Sequence, residues 1–359
     1  MLNRLKNLRA ATLLLGMLAA SAAPPAVAAE RTSFNVAWSI YVGWMPWDYA
    51  DRSGILKKWA DKYGIKIKLT QVNEYVESIN QYTAGTFDAC VMTNMDALTI
   101  PAAGGVDSTV LIVGDFSNGN DGVVLKGKGK TLIDIKGQKV NLVELSVSHY
   151  LLARALGSVG LRERDLKIVN TSDADIVAAF SASATTAVVT WKPQLSAVMS
   201  APDAQLVFDS SKIPGEILDL MVVKTDVLNT SPKLGKALVG AWYETLALMF
   251  RNDAAGQAAQ TAMAKASGTD LSGFGRQLAT TRIFATAADA YAFVTAEGVV
   301  KSMDSVRKFS FEHGILGQGA SSVDAVGIQF PGGKSLGDTR NLKLRFDSGF
   351  AKLSMDGKL

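Results

Sequence analysis

The side chains most able to do chemistry in this chain are carboxylates and tryptophans, and they fall where short apolar runs end. Asp48, Asp96, Asp115, Asp121, Glu144, Asp209, Glu216 and Asp219 all lie in such stretches, whereas the basic residues there are few, Lys192 and Lys212. Trp38, Trp44 and Trp47 follow one apolar run closely, and Trp191 closes another. Carboxylates accept the N–H donors of a small delocalised cation, each charge-assisted hydrogen bond being worth roughly 1.5–3 kcal/mol. Aromatic faces stack on the same cation, for about 2 kcal/mol when desolvated. An anion receptor would instead offer arginine, lysine or free backbone N–H groups.

The candidate ligand-binding set is Trp38, Trp44, Asp115, Asp121, Glu144, Ser146, Trp191 and Asp219. Each has a plainer role to weigh. Trp191 could cap the core beneath it, and Trp47 is expected to pack under its own helix. Glu144, just ahead of Ser146 and Ser148, could be an acid held by a helix dipole. Asp115 and Asp121 flank Ser117-Asn118-Gly119-Asn120 and could serve an Asx turn. His149 reads as a helix-start residue.

The elements that must position these residues alternate between strand and helix. Phe34–Ile40, Ile65–Val72, Asp88–Thr93 and Thr109–Val113 read as strands, with helices over Pro46–Tyr63, stopped by Gly64, and over Glu74–Ala84, stopped by Gly85. A second unit begins near Asp121, with strand candidates at Gly122–Leu125, Lys139–Leu145, Leu166–Val169, Ala187–Thr190 and Gln205–Phe208. After Leu220–Val223 the pattern turns helical over Pro232–Phe250, Asp253–Ala266, Leu271–Leu278 and Ala287–Phe311. Residues 314–340 read as loop and Asn341–Leu359 as an extended tail. The rhythm predicts an α/β fold, each half a mostly parallel sheet flanked by helices. Ligands of open α/β sheets bind at the carboxyl ends of strands, which is where the acids and tryptophans fall.

Composition narrows the function classes. The chain has 359 residues, 48% hydrophobic and 19% charged, which argues against disorder and for about two domains. One cysteine, Cys90, excludes an intrachain disulfide and a cysteine-rich metal site, and it falls in an apolar strand where burial is expected. With two histidines, a histidine-rich metal site is excluded as well, and no cofactor is expected. Residues 1–28 read as an export signal: Arg4, Lys6 and Arg9, an apolar stretch from Ala10 to Ala20, then Pro24-Pro25 and the small-x-small pattern Ala26-Val27-Ala28. Cleavage near Ala28 would place the protein in the periplasm. It would also leave 34 basic against 33 acidic residues, too balanced for a nucleic-acid binder.

Several segments resemble the solute-binding proteins of ATP-binding-cassette importers, within the nitrate/sulfonate/taurine class related to thiamine-pyrimidine synthases. Trp38-Ser39-Ile40-Tyr41-Val42-Gly43-Trp44-Met45-Pro46, leading into Ala50 and Gly54-Ile55-Leu56, is similar to the family's opening strand, aromatic-x-Pro turn and first helix. Ala84-Gly85-Thr86-Phe87-Asp88-Ala89 resembles its A-G-x-x-D-A strand entry, and Leu132–Gly137 with Val140 its L-x-D-L-K-G-K-x-V. Ala187-Val188-Val189-Thr190-Trp191-Lys192-Pro193 resembles D-A-V-V-x-W-x-P, with Thr186 in place of the usual aspartate. Within the class the chain looks closest to binding proteins encoded beside urea/guanidine carboxylase systems. The resemblance implies a two-lobed receptor of the type II periplasmic-binding fold, without enzymatic activity, closing on a small nitrogen-rich solute for a membrane permease and working as a monomer. It implies discontinuous lobes: 29–121 with 222–330, and 122–221, followed by a tail at 331–359. Receptors for sulfonate, taurine or nitrate, and a thiamine-pyrimidine-synthase-like enzyme, are the alternatives. Gly332-Gly333-Lys334-Ser335 lacks the earlier glycine of a phosphate loop, Ile328 standing there. Gly333-Lys334-Ser335-Leu336-Gly337 lacks the core strand and later histidine of a hydrolase elbow.

Overall fold

Two separate sheets carry the chain, and the strands that enter and leave them bring the acids together. The computed structural model describes residues 30–359, and the export-signal reading over residues 1–28 lies outside them. The strands are β1 (Ser33–Trp38), β2 (Lys66–Gln71), β3 (Ala89–Thr93), β4 (Ser108–Ser117), β5 (Asp121–Lys126), β6 (Lys139–Leu142), β7 (Lys167–Asn170), β8 (Ala187–Trp191), β9 (Ala204–Asp209), β10 (Leu218–Lys224), β11 (Thr281–Ile283), β12 (Gly327–Gln329), β13 (Ser335–Leu336) and β14 (Leu342–Phe346). The larger sheet runs β13-β12-β14-β4-β10-β3-β1-β2, with β11 on β4; the smaller runs β7-β6-β8-β5-β9. Helices pack against both.

Each sheet is parallel only in part. β1 pairs in parallel with β2 and β3, and β6 with β7 and β8, but β10 runs antiparallel to β3 and β4, and β5 antiparallel to β8 and β9. The reason is the route of the chain. It leaves the larger lobe through β4 into β5 and returns through β9 into β10, so each crossing delivers a strand from the opposite end.

Most elements form where the residue pattern places them. β3 is fully buried along its length, Cys90 included, as a short apolar run between two covered faces requires. The helix Tyr75–Ala84 ends on Gly85 at φ +98°, whose N–H caps the last turn. Two expected helices are each split. Pro46–Tyr63 becomes Met45–Arg52 and Ile55–Lys62, because Gly54 sits at φ +80°; Ala287–Phe311 becomes Ala287–Val294 and Glu297–Glu312, because Ala296 is extended.

The C-terminal stretch corrects the reading of loop and tail. Residues 314–340 contain β12 and β13, and the 331–359 segment carries β14 and the helix Gly349–Met355. β14 inserts between β12 and β4, parallel to both, with Leu344 and Phe346 buried. Alternation is weak over 341–359 because only Leu342-Lys343-Leu344-Arg345-Phe346 alternate and a helix follows them. Lys334, in the segment resembling a phosphate loop, pairs with Glu297.

Candidate functional site

The strand crossings create the site. Asp115, near the end of β4, lies directly opposite Asp219 on β10, and Asp219 is in turn opposite Thr93 at the end of β3. In the smaller sheet, Asp121 begins β5 directly opposite Trp191, the last residue of β8. Where the two strand-end rows face each other, a small, partly open cavity of about 20 Å³ is lined by Tyr41, Trp44, Tyr75, Thr93, Asp121, Val147, Trp191, Ile217 and Asp219. No basic side chain lines it.

The aromatic walls hold one another. Trp44 stacks on Tyr75 at 5.8 Å, Tyr41 meets Trp44 edge-on at 5.1 Å, and Tyr75 meets Trp191 edge-on at 5.6 Å across the two lobes. These edge and offset geometries suit the ring quadrupoles. Trp44 enters because Val42–Trp44 forms a short turn between β1 and the helix Met45–Arg52.

Four buried acids surround the cavity. Asp96 accepts from Tyr75 Oη at 2.6 Å and from Thr93 Oγ1 at 2.8 Å, while its Oδ1 has no well-formed hydrogen bond. The Val147 N–H, at the start of the helix Val147–Ser158 in the facing lobe, also acts on Asp96. Asp115 accepts from Tyr41 Oη at 3.0 Å, and its Oδ2 is buried without a donor. Gly43 abuts this carboxyl so closely that a Cβ there would lie 2.4 Å from Asp115 Oδ2. Asp121 accepts from Ser117 Oγ, which also meets Ser210 Oγ and so ties the two crossing segments together. Asp219 Oδ2, like that of Asp115, is buried without a donor.

Burial dominates the acidity of these groups, because a charged carboxylate loses its hydration there. It pushes Asp96 and Asp121 up to about 6 and Asp115 up to about 7. Asp219 is raised well above the ordinary carboxylate range by burial and then by the charge of Asp115. Tyr41 and Tyr75 are raised by burial and then by their acidic neighbours, so both remain hydrogen-bond donors. Lys192 is the cation that acts on Asp121, but its Nζ is engaged by Thr280 Oγ1 at 2.7 Å and it stands outside the cavity lining.

The structure brings together Trp44, Asp121, Trp191 and Asp219 in the lining, with Asp115 paired to Asp219 directly behind. It does not bring in Trp38, Glu144 or Ser146. Trp38 shares a strand face with Phe34 and Val36 and is buried in the core, 3% exposed. Glu144 is exposed; only its backbone N–H is engaged, by Asn170 Oδ1. Ser146 caps the helix Val147–Ser158, accepting from the Ser148 N–H and donating to the Val143 carbonyl. Trp47 packs on Trp242 at 5.0 Å under its helix. Tyr41, Tyr75 and Thr93 were not among the sequence candidates. The Tyr41 signal was available, since Tyr41 falls inside the aromatic-rich turn; Tyr75 lies at a helix start with nothing local to mark it.

Two other places could hold a ligand or ion. An open crevice of about 860 Å³ between the lobes, with Lys192, Asp209 and Arg276 on its walls, has no aromatic lining and no buried acid. The two histidines, set aside at the level of sequence, do meet: His149, Glu163 and His313 place three donor atoms within 4.8 Å of one another. The Leu145 N–H donates to His149 Nδ1 at 3.1 Å, which leaves the proton of the neutral ring on Nε2, the atom that would have to bind a metal. His313 bridges Phe309 O at 2.8 Å and Glu163 Oε1 at 2.6 Å. The bond to Glu163 raises His313, and against the effect of burial the two histidines bring Glu163 down to about 2.

Two sheets linked by crossing strands, with a cavity between their strand ends, make this the two-lobed fold of periplasmic solute-binding proteins. The alkanesulfonate-binding protein of Xanthomonas axonopodis pv. citri, solved bound to MOPS, superposes with a TM-score of 0.66 at 18% identity, over 80% of this chain and 96% of that one. The chain belongs to the NMT1/THI5-like family, whose profile matches residues 56–255. It is 23% identical over 146 residues to a binding protein of Brucella abortus (strain 2308), covering 40% of this chain and 45% of the relative. It is 24% identical over 143 residues to the taurine-binding periplasmic protein of Escherichia coli (strain K12), covering 39% and 44%. The matches thus span less than half the length of these curated relatives.

Proposed function

We propose that the protein is the periplasmic solute-binding component of an ATP-binding-cassette importer, closing its lobes on a small nitrogen-rich cation or amide such as guanidinium or urea. The observation that carries the reading is the cavity wall: acids and aromatic rings, with no basic side chain lining it. Asp219 Oδ2, in the lining, is a buried acceptor without a donor, which a ligand rich in N–H groups would satisfy. Trp44 and Trp191 offer faces for a planar cation. The cavity is small, about 20 Å³, which favours a compact solute over a long one. Binding without turnover is the expected activity, with a membrane permease as partner, and we take the lobes to be residues 29–121 with 222–330, and 122–221.

The second reading is a receptor for sulfonates or taurine. It is favoured by the names of the relatives and opposed by the charge of the cavity, since a sulfonate would be desolvated against buried carboxyls. Titration calorimetry against guanidinium, urea, taurine and nitrate decides between them. Saturable binding of guanidinium or urea is expected; tight binding of an anion alone overturns the reading.

A further inference from the structure

We propose that binding at this site is a cation-for-proton exchange: the empty site keeps one proton shared between Asp115 and Asp219, and a bound monocation expels it to solvent. This rests on the cationic-ligand reading. The two carboxyls stand opposite each other on neighbouring antiparallel strands of one sheet, so the pair persists when the lobes part. Both are buried, at 0% and 3% exposure, and the two side chains interact directly. With neither protonated, Oδ2 of each is an acceptor without a donor; a proton between them supplies the missing hydrogen bond.

No cation acts on the pair itself. From the turn after β1, Tyr41 donates to Asp115 Oδ1, and the Thr281 hydroxyl of β11 faces Tyr41. From β5, Asp121 adds further negative charge, and Asp96 adds to that of Asp121. Lys192 acts on Asp121 and is tied to Thr280. Two like charges at such close quarters cannot both ionise in a dry site, and the proton belongs to the pair rather than to either residue. A guanidinium supplies both positive charge and N–H donors. When it enters, the shared O–H bond breaks, the proton passes to buffer, and the net charge of the site is unchanged.

The test is calorimetry of guanidinium chloride binding to the full chain at pH 7.5, in phosphate and in Tris, buffers of different ionisation enthalpy. At that pH Asp96 and Asp121, both near 6, are already charged, so the pair alone reports. About one proton released per guanidinium is expected, with Kd falling up to tenfold per pH unit between pH 7 and 8. Urea, being neutral, should release none. D219N, which replaces the shared proton with an amide donor at the same net charge and should fold, is expected to lose the proton release and the pH dependence together. Wild-type guanidinium binding with no buffer-dependent heat overturns the exchange while leaving the ligand reading intact. Binding of urea without guanidinium overturns the exchange alone; binding of neither overturns both.

Discussion

Neutralising Asp121 should stabilise the empty protein while weakening its ligand, and the size of the first effect can be worked out. Asp121 is 4% exposed, and burial raises it from an ordinary 3.8 to about 6. At roughly 1.4 kcal/mol per pH unit, keeping it charged in the fold costs about 3 kcal/mol at neutral pH. The sign follows from the raised folded value. The cost is absent below the unfolded value near 4, grows between about pH 4 and 6, and is constant above. Asp121→Asn preserves the shape and an acceptor for Ser117 Oγ, so it removes this cost, less whatever Lys192 loses as a partner. Thermal melts of the ligand-free chain should therefore show the variant about 3–6 °C more stable at pH 7.5 and equal to wild type at pH 4. Guanidinium affinity should fall by a charge-assisted hydrogen bond, roughly 10- to 100-fold. A variant less stable than wild type at pH 7.5 would refute the claim that this carboxylate is held at a cost.

Three further outcomes follow from the same geometry. Trp191→Ala removes a cavity wall and an edge contact to Tyr75, so calorimetry should show roughly thirtyfold weaker cation binding, about 2 kcal/mol, with an unchanged far-ultraviolet circular dichroism spectrum; Glu144→Gln, at an exposed position, should leave affinity unaltered. Gly43→Ala drives a methyl group against Asp115 Oδ2 and the Tyr41 ring, and should cost about 1–3 kcal/mol in denaturant titrations along with ligand affinity. Glu163→Gln breaks the contact between His313 and Glu163. That contact is complete above about pH 4.5, where Glu163 is charged in either state, and below about pH 6.5, where His313 is. It is lost as pH falls toward 2 or rises through the elevated His313 value. Both groups are partly exposed, so the variant should lower stability by less than ~1 kcal/mol, and chiefly within that window.

Much of the fold is legible in the residue pattern. The apolar runs of β1, β3, β5, β8 and β10 lie within a few residues of where periodicity places them, and the helix Leu271–Leu278 has the bounds expected. The site is legible only in part. Trp38 and Trp44 look alike as aromatic residues near one strand end, yet strand alternation sends Trp38 to the Phe34–Val36 core face, while the turn at Val42–Trp44 carries Trp44 into the cavity. Glu144 and Asp121 look alike as acids at a strand boundary, yet only Asp121 belongs to a strand that crosses between the lobes. β12 and β13 escape because pairings of two or three residues carry little periodic signal, and β14 because its alternation is confined to five residues ahead of a helix.

The sequence by itself determined that the chain is α/β, that its acids and tryptophans gather at strand ends, and that basic groups are scarce there. Those are properties of local spacing, which alternation and turn chemistry encode residue by residue. Only the tertiary structure decided which strand ends become neighbours. That Asp219 stands between Thr93 and Asp115, and Asp121 opposite Trp191, is a matter of strand register between segments up to about 125 residues apart. The same pairings take the carboxyls out of water, and it is that desolvation, together with their mutual repulsion, that turns ordinary surface-type acids into a cavity with a demand for positive charge.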